Sequence, residues 1–239
     1  MTSLWRIFFS AAVMALSAHA QSTVKGTVIL TDSGNGAVQH KRDYSNVAVW
    51  LDSPTHGIVQ AHSAAHKHAV MLQKDKRFIP HLLIVECGTN IDFPNQDPIF
   101  HNAFSNFDGQ LFDIGLYPPG TSRSVKFDRP GIVRVFCNIH ASMSAVIVAV
   151  NSPYFTTTQA DGGFVMRGVE PGMYTVHFFH ERALPETLDH LTRTVLVSGD
   201  LVTLEAVSIS EAGYLPSPHA NKFGKSYPDA APKYGLGNR

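Results

Sequence analysis

Cysteine is scarce in this chain: Cys87 and Cys137 are the only two among 239 residues, so at most one internal disulfide can form. The chain also has no excess of positive or negative charge, because Lys plus Arg and Asp plus Glu both number 19. Nothing in that balance indicates nucleic-acid binding. After the first twenty residues no segment is long and apolar enough to span a bilayer, so we expect no membrane insertion.

The first twenty residues have the pattern of a secretory signal peptide. Arg6 precedes an apolar stretch from Ile7 to Leu16, and Ala18-His19-Ala20 matches the small-residue cleavage pattern. We therefore expect cleavage after Ala20 and a periplasmic or secreted mature protein that begins at Gln21.

Long helical periodicity is also missing, and the one candidate is a turn near 184–191. Short runs of Val, Ile, Phe, Tyr and Thr alternate instead with clusters of Gly, Pro, Asn and Asp, which predicts an all-β protein. A β-sandwich is the economical fold for such a pattern. The roughly 220 residues left after cleavage exceed one small sandwich, so we expect a second module.

The most informative local pattern is the C-x2-H-x2-M spacing of Cys137, His140 and Met143, with a second histidine upstream at His101. One thiolate, two imidazoles and one thioether are the ligand set of a blue-copper centre. Taken singly, such residues more often fill a core or a loop. Alternation along 131–137 places Cys137 on the apolar face of a strand, opposite Arg134, so its sulfur should point inward. This favours the metal interpretation.

The run from about 71 to 150 resembles a cupredoxin. The resemblance is carried by Phe78-Ile79-Pro80-His81, by Gly88 to Asn95, by His101-Asn102, by Tyr117-Pro118-Pro119-Gly120 and by Pro130-Gly131 before the Cys137 strand. It implies a Greek-key β-sandwich with one type 1 copper ion, held by His101, Cys137 and His140 as strong ligands and by Met143 as a long axial ligand. It also implies that Asn102 braces the loop from Cys137 to Met143, which we call the ligand loop.

The ligand loop itself is similar to that of amicyanin. The stretch from Gln73 to Met143 also resembles secreted plastocyanin-like proteins that are called methylamine utilisation proteins. That second resemblance implies a redox partner protein, whose identity the sequence does not encode, and it leaves the oligomeric state open.

Segments on both sides of this run resemble a carboxypeptidase regulatory-like (transthyretin-like) β-sandwich. They are 24–30 and 46–51 before it, and 156–166 and 169–178 after it. The implied division is a signal peptide at 1–20, a first part of that sandwich with a linker at 21–65, the cupredoxin at 66–150, the second part at 151–212 and an extended tail at 213–239. A tandem arrangement, without insertion of one domain in the other, stays open.

Two alternatives concern the cysteines and the other histidines. In an oxidising compartment Cys87 and Cys137 could pair, but a disulfide would consume the thiolate that copper needs, so we expect a free Cys137. His62, His66 and His68, with Met71 nearby, form either a copper-loading segment or a solvated linker. A site made of His177, His180 and Glu181 is disfavoured, because strand residues alternate faces.

The complete ligand set leaves no open coordination position, which favours outer-sphere electron transfer over an enzyme. By resemblance, His140 should be the ligand nearest solvent. We expect a small docking surface around it, formed by Ala141, Ser142, Tyr117, Pro118 and Pro119. The alternatives are a copper-handling, storage or delivery protein and, third, an adhesion or assembly protein with a vestigial metal site.

Overall fold

The computed structural model describes residues 21–53, 67–106, 109–216 and 219–227. The predicted signal peptide, His62 and His66 lie outside the described residues. Within them the chain forms eighteen β-strands and two short α-helices, which confirms the all-β prediction. Neither helix of this described part is long and apolar enough to cross a membrane.

In chain order the elements are β1 (Ser22–Thr31), α1 (Gly36–Lys41), β2 (Ala48–Asp52), β3 (His68–Val70), β4 (Leu72–Lys74), β5 (Arg77–Ile79), β6 (Leu82–Glu86), β7 (Thr89–Pro94), β8 (Phe104–Ser105), β9 (Phe112–Asp113), β10 (Ser122–Phe127), β11 (Gly131–Phe136), β12 (Ser144–Val150), β13 (Phe155–Thr157), β14 (Gly163–Val169), β15 (Gly172–Phe179), α2 (Pro185–Leu191), β16 (Arg193–Val197), β17 (Leu201–Thr203) and β18 (Val207–Ser210).

The strands before β3 and after β12 form what we call the outer sandwich. One sheet has the order β14-β1-β17, with β18 also paired to β1, and the facing sheet has the order β13-β2-β15-β16. Inward-facing apolar residues of both sheets meet in one core, among them Val24, Leu51, Phe164 and Val176. Alternation along β1, β2, β14 and β15 puts these residues on the buried faces.

The strands from β3 to β12 form what we call the inner sandwich. Its sheets have the orders β10-β7-β3 and β6-β12-β11-β8-β9, and β4 and β5 form a separate hairpin. The core between the sheets includes Phe93, Val135, Ile147, Cys137 and Met143. Cys137 and Met143, two of the four predicted ligands, therefore belong to the core of this sandwich.

Strand β12 is apolar at every position after Ser144, and both of its faces are buried. Ala145, Ile147 and Ala149 pack into the inner core. Val146, Val148 and Val150 face the other way and form a separate cluster with residues of the outer sandwich, including Ala48 and Phe179. A continuous apolar run is typical of a strand covered on both faces, and here it joins the two sandwiches through an apolar interface.

The helices differ in how well the sequence indicates them. Helix α2 occupies the segment near 184–191, where the sequence indicates a turn. Helix α1 lies in a segment where the sequence shows no helical periodicity. It forms because the side chain of Asn35 accepts a hydrogen bond from the amide of Ala37 at 2.9 Å, and because Arg42 ends the helix in the left-handed conformation.

Candidate metal centre

Cys137 follows directly after β11, on the face that the alternation pattern predicts. Val133, Val135 and Cys137 are fully buried, whereas Arg134 is exposed. The sulfur therefore points into the inner core, as expected. Both cysteines of the chain are free, so the alternative of a Cys87–Cys137 disulfide is wrong for this structure.

The loop from Cys137 to Met143 is closed by two backbone hydrogen bonds. The amide of Cys137 donates to the carbonyl of Met143, and the amide of Met143 donates to the carbonyl of His140, both at 3.1 Å. This tight turn brings the His140 ring back beside the sulfur. Nδ1 of His140 lies 3.5 Å from Sγ of Cys137.

His101 reaches the same point from a different part of the inner sandwich. Its backbone exchanges hydrogen bonds with Tyr117, which fixes the ring next to the ligand loop. Nδ1 of His101 lies 3.9 Å from Sγ of Cys137. The centroids of the two imidazole rings are 4.8 Å apart.

The ligand atoms of His101, Cys137 and His140 all lie within 4.8 Å of one another. In the described part of the chain no other group of His, Cys, Asp and Glu has such an arrangement. His101 and Cys137 are fully buried, while His140 is partly exposed. Met143, the fourth predicted ligand, is fully buried in the same core cluster as Cys137.

Asn102 lies beside His101 and connects three elements around the ligand loop. Its Oδ1 accepts a hydrogen bond from the amide of Asn138 at 2.6 Å. Its Nδ2 donates to Oδ1 of Asp113 at 3.1 Å. Asn102 therefore braces the ligand loop, as the family resemblance implies.

The pKa of His140 is lowered, first by burial and then by the nearby charges of His101 and Lys76. A lowered pKa favours the neutral imidazole, which is the form that binds metal ions. The environment of this ring therefore suits a ligand at neutral pH.

Asp97 is a buried carboxylate at this site that no pattern in the sequence indicates. Its Oδ2 lies 2.7 Å from Nε2 of His101, on the side of the ring away from Cys137. The same carboxylate accepts hydrogen bonds from the amides of Asp75 and Lys76 at 2.6 and 2.8 Å. Burial raises its pKa, but the hydrogen bonds from the Lys76 amide, His101 and the Asp75 amide outweigh burial and lower the pKa overall.

The segment 219–227 packs against the outside of the ligand loop, although the sequence predicts only an extended tail there. The hydroxyl of Tyr227 donates to the carbonyl of Cys137 at 2.7 Å. The ring of His219 stacks on Phe136 at a centroid distance of 4.1 Å. The amide of Lys222 donates to Oδ1 of Asn138 at 3.0 Å. No spacing pattern in the sequence indicates these contacts.

Tyr117 is not part of a docking surface, so that prediction is wrong. It is 1% exposed, and its hydroxyl donates to the carbonyl of Phe93 at 2.8 Å and accepts a hydrogen bond from Gln73. Burial raises its pKa strongly. Tyr117 pairs with His101 through its backbone, and directly paired residues point to the same face, so its side chain points inward like that of His101. The four other residues of the predicted surface are exposed: Pro118, Pro119, Ala141 and Ser142.

The remaining histidine groups do not assemble a second cluster in the described residues. His177 stacks on Trp50, His180 contacts Glu211 at 3.0 Å, and Glu181 contacts His81 at 2.8 Å. In the segment for which the sequence leaves copper loading and a solvated linker as alternatives, His68 lies 3.4 Å from Asp92 on the surface of β3. Met71 is fully buried in the inner core, which leaves its thioether inaccessible to solvent.

Comparison with known proteins gives structural similarity to copper proteins over part of the chain. No family model matches the chain, and no curated protein matches it. A Cu-containing nitrite reductase from Thermus scotoductus SA-01 is 22% identical with a TM-score of 0.33, and the match covers 34% of this chain and 22% of that chain. The chain thus matches about a fifth of the length of that reductase.

Two smaller proteins match over most of their own length. A purple cupredoxin from Nitrosopumilus maritimus is 18% identical with a TM-score of 0.32, and the match covers 35% of this chain and 99% of that one. An oxidised variant of amicyanin is 17% identical with a TM-score of 0.33, and the match covers 38% of this chain and 88% of that one.

Proposed function

We propose that this protein binds one copper ion of type 1 and acts as an outer-sphere electron carrier. The observation that carries the proposal is the convergence of the fully buried Cys137 and His101 with the partly exposed His140, with their ligand atoms all within 4.8 Å of one another. A thiolate with two imidazoles suits copper in both oxidation states, because sulfur holds Cu(I) and imidazole suits either state.

The residues of this chain have separate roles in that proposal. Cys137, His101 and His140 would hold the ion, and the buried thioether of Met143 would add a weak fourth donor. Copper supplies the one-electron couple. The inner core around the site excludes water, and the hydrogen bonds that close the ligand loop keep the donor atoms in one arrangement, which limits rearrangement when the electron moves.

The proposed route of the electron runs through His140. His101 and Cys137 are fully buried, so the partly exposed ring of His140 is where a partner protein would approach most closely. With four protein ligands the ion offers no open position to a substrate. We therefore propose an electron carrier and not an enzyme, with redox partner proteins that stay unidentified.

The same proposal includes a domain arrangement and a location. Strands β1 and β2 pair with β14 and β15, and all ten strands of the inner sandwich lie between them in the chain. This supports a cupredoxin domain inserted into a carboxypeptidase regulatory-like domain. The signal-peptide pattern of residues 1–20 supports export to the periplasm or beyond.

The proposal is tested by the visible absorption spectrum of the protein loaded with Cu(II). We expect intense thiolate-to-copper charge transfer and narrow copper hyperfine splitting. Cys137→Ser should abolish the colour. Cys87→Ser is the matched control, because Cys87 lies beside Val150, at the end of β12 away from Met143, and should leave the spectrum unchanged. Colour retained in Cys137→Ser would refute the assignment.

Carrier and copper-handling functions are separated by a second measurement on the same sample. A carrier should exchange electrons rapidly with small redox dyes and keep its metal. A storage or delivery protein should release Cu(I) readily to a chelator. Rapid release of Cu(I) together with slow electron exchange would refute the carrier function and favour copper handling.

A further inference from the structure

We propose that Asp97 is a positioning residue that holds His101 in the form that binds copper and lowers the reduction potential of the site. The inference rests on the proposed function, which it deepens by naming a residue outside the four ligands that sets the properties of the centre. It is carried by the contact between Oδ2 of Asp97 and Nε2 of His101.

The first step concerns which ring nitrogen of His101 donates a hydrogen bond. Both oxygens of Asp97 accept backbone hydrogen bonds, Oδ1 from Asp75 and Oδ2 from Lys76, so the group is placed as an ionised acceptor. A carboxylate that only accepts requires a donor on the facing ring nitrogen. Nε2 therefore donates to Asp97, and Nδ1 is the ring nitrogen that faces Cys137.

The second step concerns how firmly the carboxylate is held. Asp75 and Lys76 form the turn between β4 and β5, and both have left-handed backbone angles with φ of 54°. Their amides point at Asp97, whose own amide donates to Oδ1 of Asn95 at 3.0 Å. Asp97 is 6% exposed and His101 is fully buried. The pair is thus fixed by the hairpin, and water does not compete for its hydrogen bond.

The third step concerns the effect on a bound ion. A carboxylate on the outer nitrogen of a ligating histidine fixes the ring orientation and makes the ring a stronger donor. Its negative charge also favours the more highly charged ion, Cu(II), over Cu(I). Both effects stabilise the oxidised form, so Asp97 should lower the reduction potential.

The test is the Asp97→Asn variant, compared with Asp92→Asn as a matched control. Asp92 also lies beside a histidine of the inner sandwich, His68, but touches no predicted ligand. For Asp97→Asn we expect a loss of Cu(II) affinity of about 10- to 100-fold, the range for such outer partners. If the affinity for Cu(I) is unchanged, each tenfold loss of Cu(II) affinity raises the reduction potential by about 59 mV.

A measurement on the metal-free protein keeps the inference independent of copper. In ¹⁵N-edited NMR spectra the wild type should show a slowly exchanging, downfield proton on Nε2 of His101. In Asp97→Asn this signal should be lost or move to Nδ1, because the amide can turn its NH₂ group toward the ring. Thermal unfolding of the same samples reports whether the hairpin is retained.

The outcomes are distinct. Equal affinities and potentials in Asp97→Asn and Asp92→Asn, with the fold retained, would overturn the inference and leave Asp97 as a hairpin anchor. If Asp97→Asn does not fold, the wild-type NMR spectrum decides, and an Nε2 proton that is absent or exchanges rapidly refutes the inference. A colourless copper-loaded wild type refutes the proposed function instead, and leaves the NMR result standing.

Discussion

The hydroxyl of Tyr227 donates a hydrogen bond of 2.7 Å to the backbone carbonyl of Cys137, across ninety positions of the chain. Nδ1 of His219 lies 3.1 Å from the same hydroxyl, and Lys222 contacts Asn138 next to the cysteine. The C-terminal segment therefore holds the outer side of the ligand loop, and the stability of that loop depends on residues far from it in sequence.

Tyr227→Phe should weaken the ligand loop without removing a ligand. The loss of one hydrogen bond should lower the free energy of unfolding by about 0.5–1.5 kcal/mol and speed the release of copper to a chelator. Tyr174→Phe is the control, because the Tyr174 hydroxyl donates a similar bond of 2.9 Å to a carbonyl of the outer sandwich. Equal rates of copper release in the two variants would refute a role for Tyr227 at the loop.

Asn102→Ala should disturb the metal site although Asn102 is not itself a predicted ligand. Asn102 is fully buried, and its removal leaves the amide of Asn138 without its acceptor. A fully buried donor without a partner costs about 1–3 kcal/mol, and the partly buried Asn138 amide should lie at the low end of that range. We expect lower stability in denaturant unfolding and broader copper hyperfine lines. A variant with unchanged hyperfine lines would show that the loop keeps its shape without this brace.

Met143→Leu should keep the blue colour and raise the reduction potential. The thioether that stabilises Cu(II) is removed, while the thiolate and both imidazoles remain. Met71→Leu is the matched control, since Met71 is another fully buried methionine of the same core. Such volume-conserving changes cost less than about 1.5 kcal/mol of stability. Voltammetry should show the rise in Met143→Leu only, and a similar rise in both variants would contradict the axial role.

His81 of the inner sandwich pairs with Glu181 of the outer sandwich, and this pair should make the free energy of unfolding depend on pH. Their side chains meet at 2.8 Å, and Nδ1 of His81 lies 3.2 Å from the carbonyl of Ser144. The hydrogen bond to Glu181 raises the pKa of His81 despite burial. Burial raises the pKa of Glu181, but His81 and Arg182 outweigh it and lower that pKa overall.

The two shifts define the pH window. A raised histidine pKa contributes stability below the ordinary value of 6.5 and loses it as pH rises through the folded-state pKa. A lowered glutamate pKa contributes stability above the ordinary value of 4.5 and loses it as pH falls through the folded-state pKa. The stability lost in His81→Gln should therefore be largest between pH 4.5 and 6.5 and should decline at higher pH.

Chemical denaturation of His81→Gln and wild type across this pH range provides the measurement. His190→Gln is the control, because His190 is exposed on α2. The pair is partly exposed to solvent, so the expected effect is small. A stability difference that is constant with pH would contradict the coupling.

Local pattern was enough to predict several features of the fold and the site. Alternation in β11 correctly predicts the buried sulfur of Cys137, because side chains on a strand point to opposite faces in turn. The spacing from Cys137 to Met143 is short enough that one turn brings His140 back to the sulfur. The adjacency of Asn102 to His101 predicts the brace of the ligand loop through the family resemblance. The all-β class follows from composition and turn residues.

Only the tertiary structure decided the contacts between residues that are far apart in the sequence and follow no repeating pattern. Asp97 faces His101 because the β4–β5 hairpin holds it there, Tyr117 turns inward because its backbone pairs with His101, and Tyr227 reaches Cys137 from the end of the described chain. Sequence alone determined the type of donor atoms and the face on which the sulfur lies, since both depend on neighbours within a few residues. The partners of the outer ring nitrogens and of the loop carbonyls depend on how distant strands and the C-terminal segment pack together, and no spacing in the chain encodes that packing.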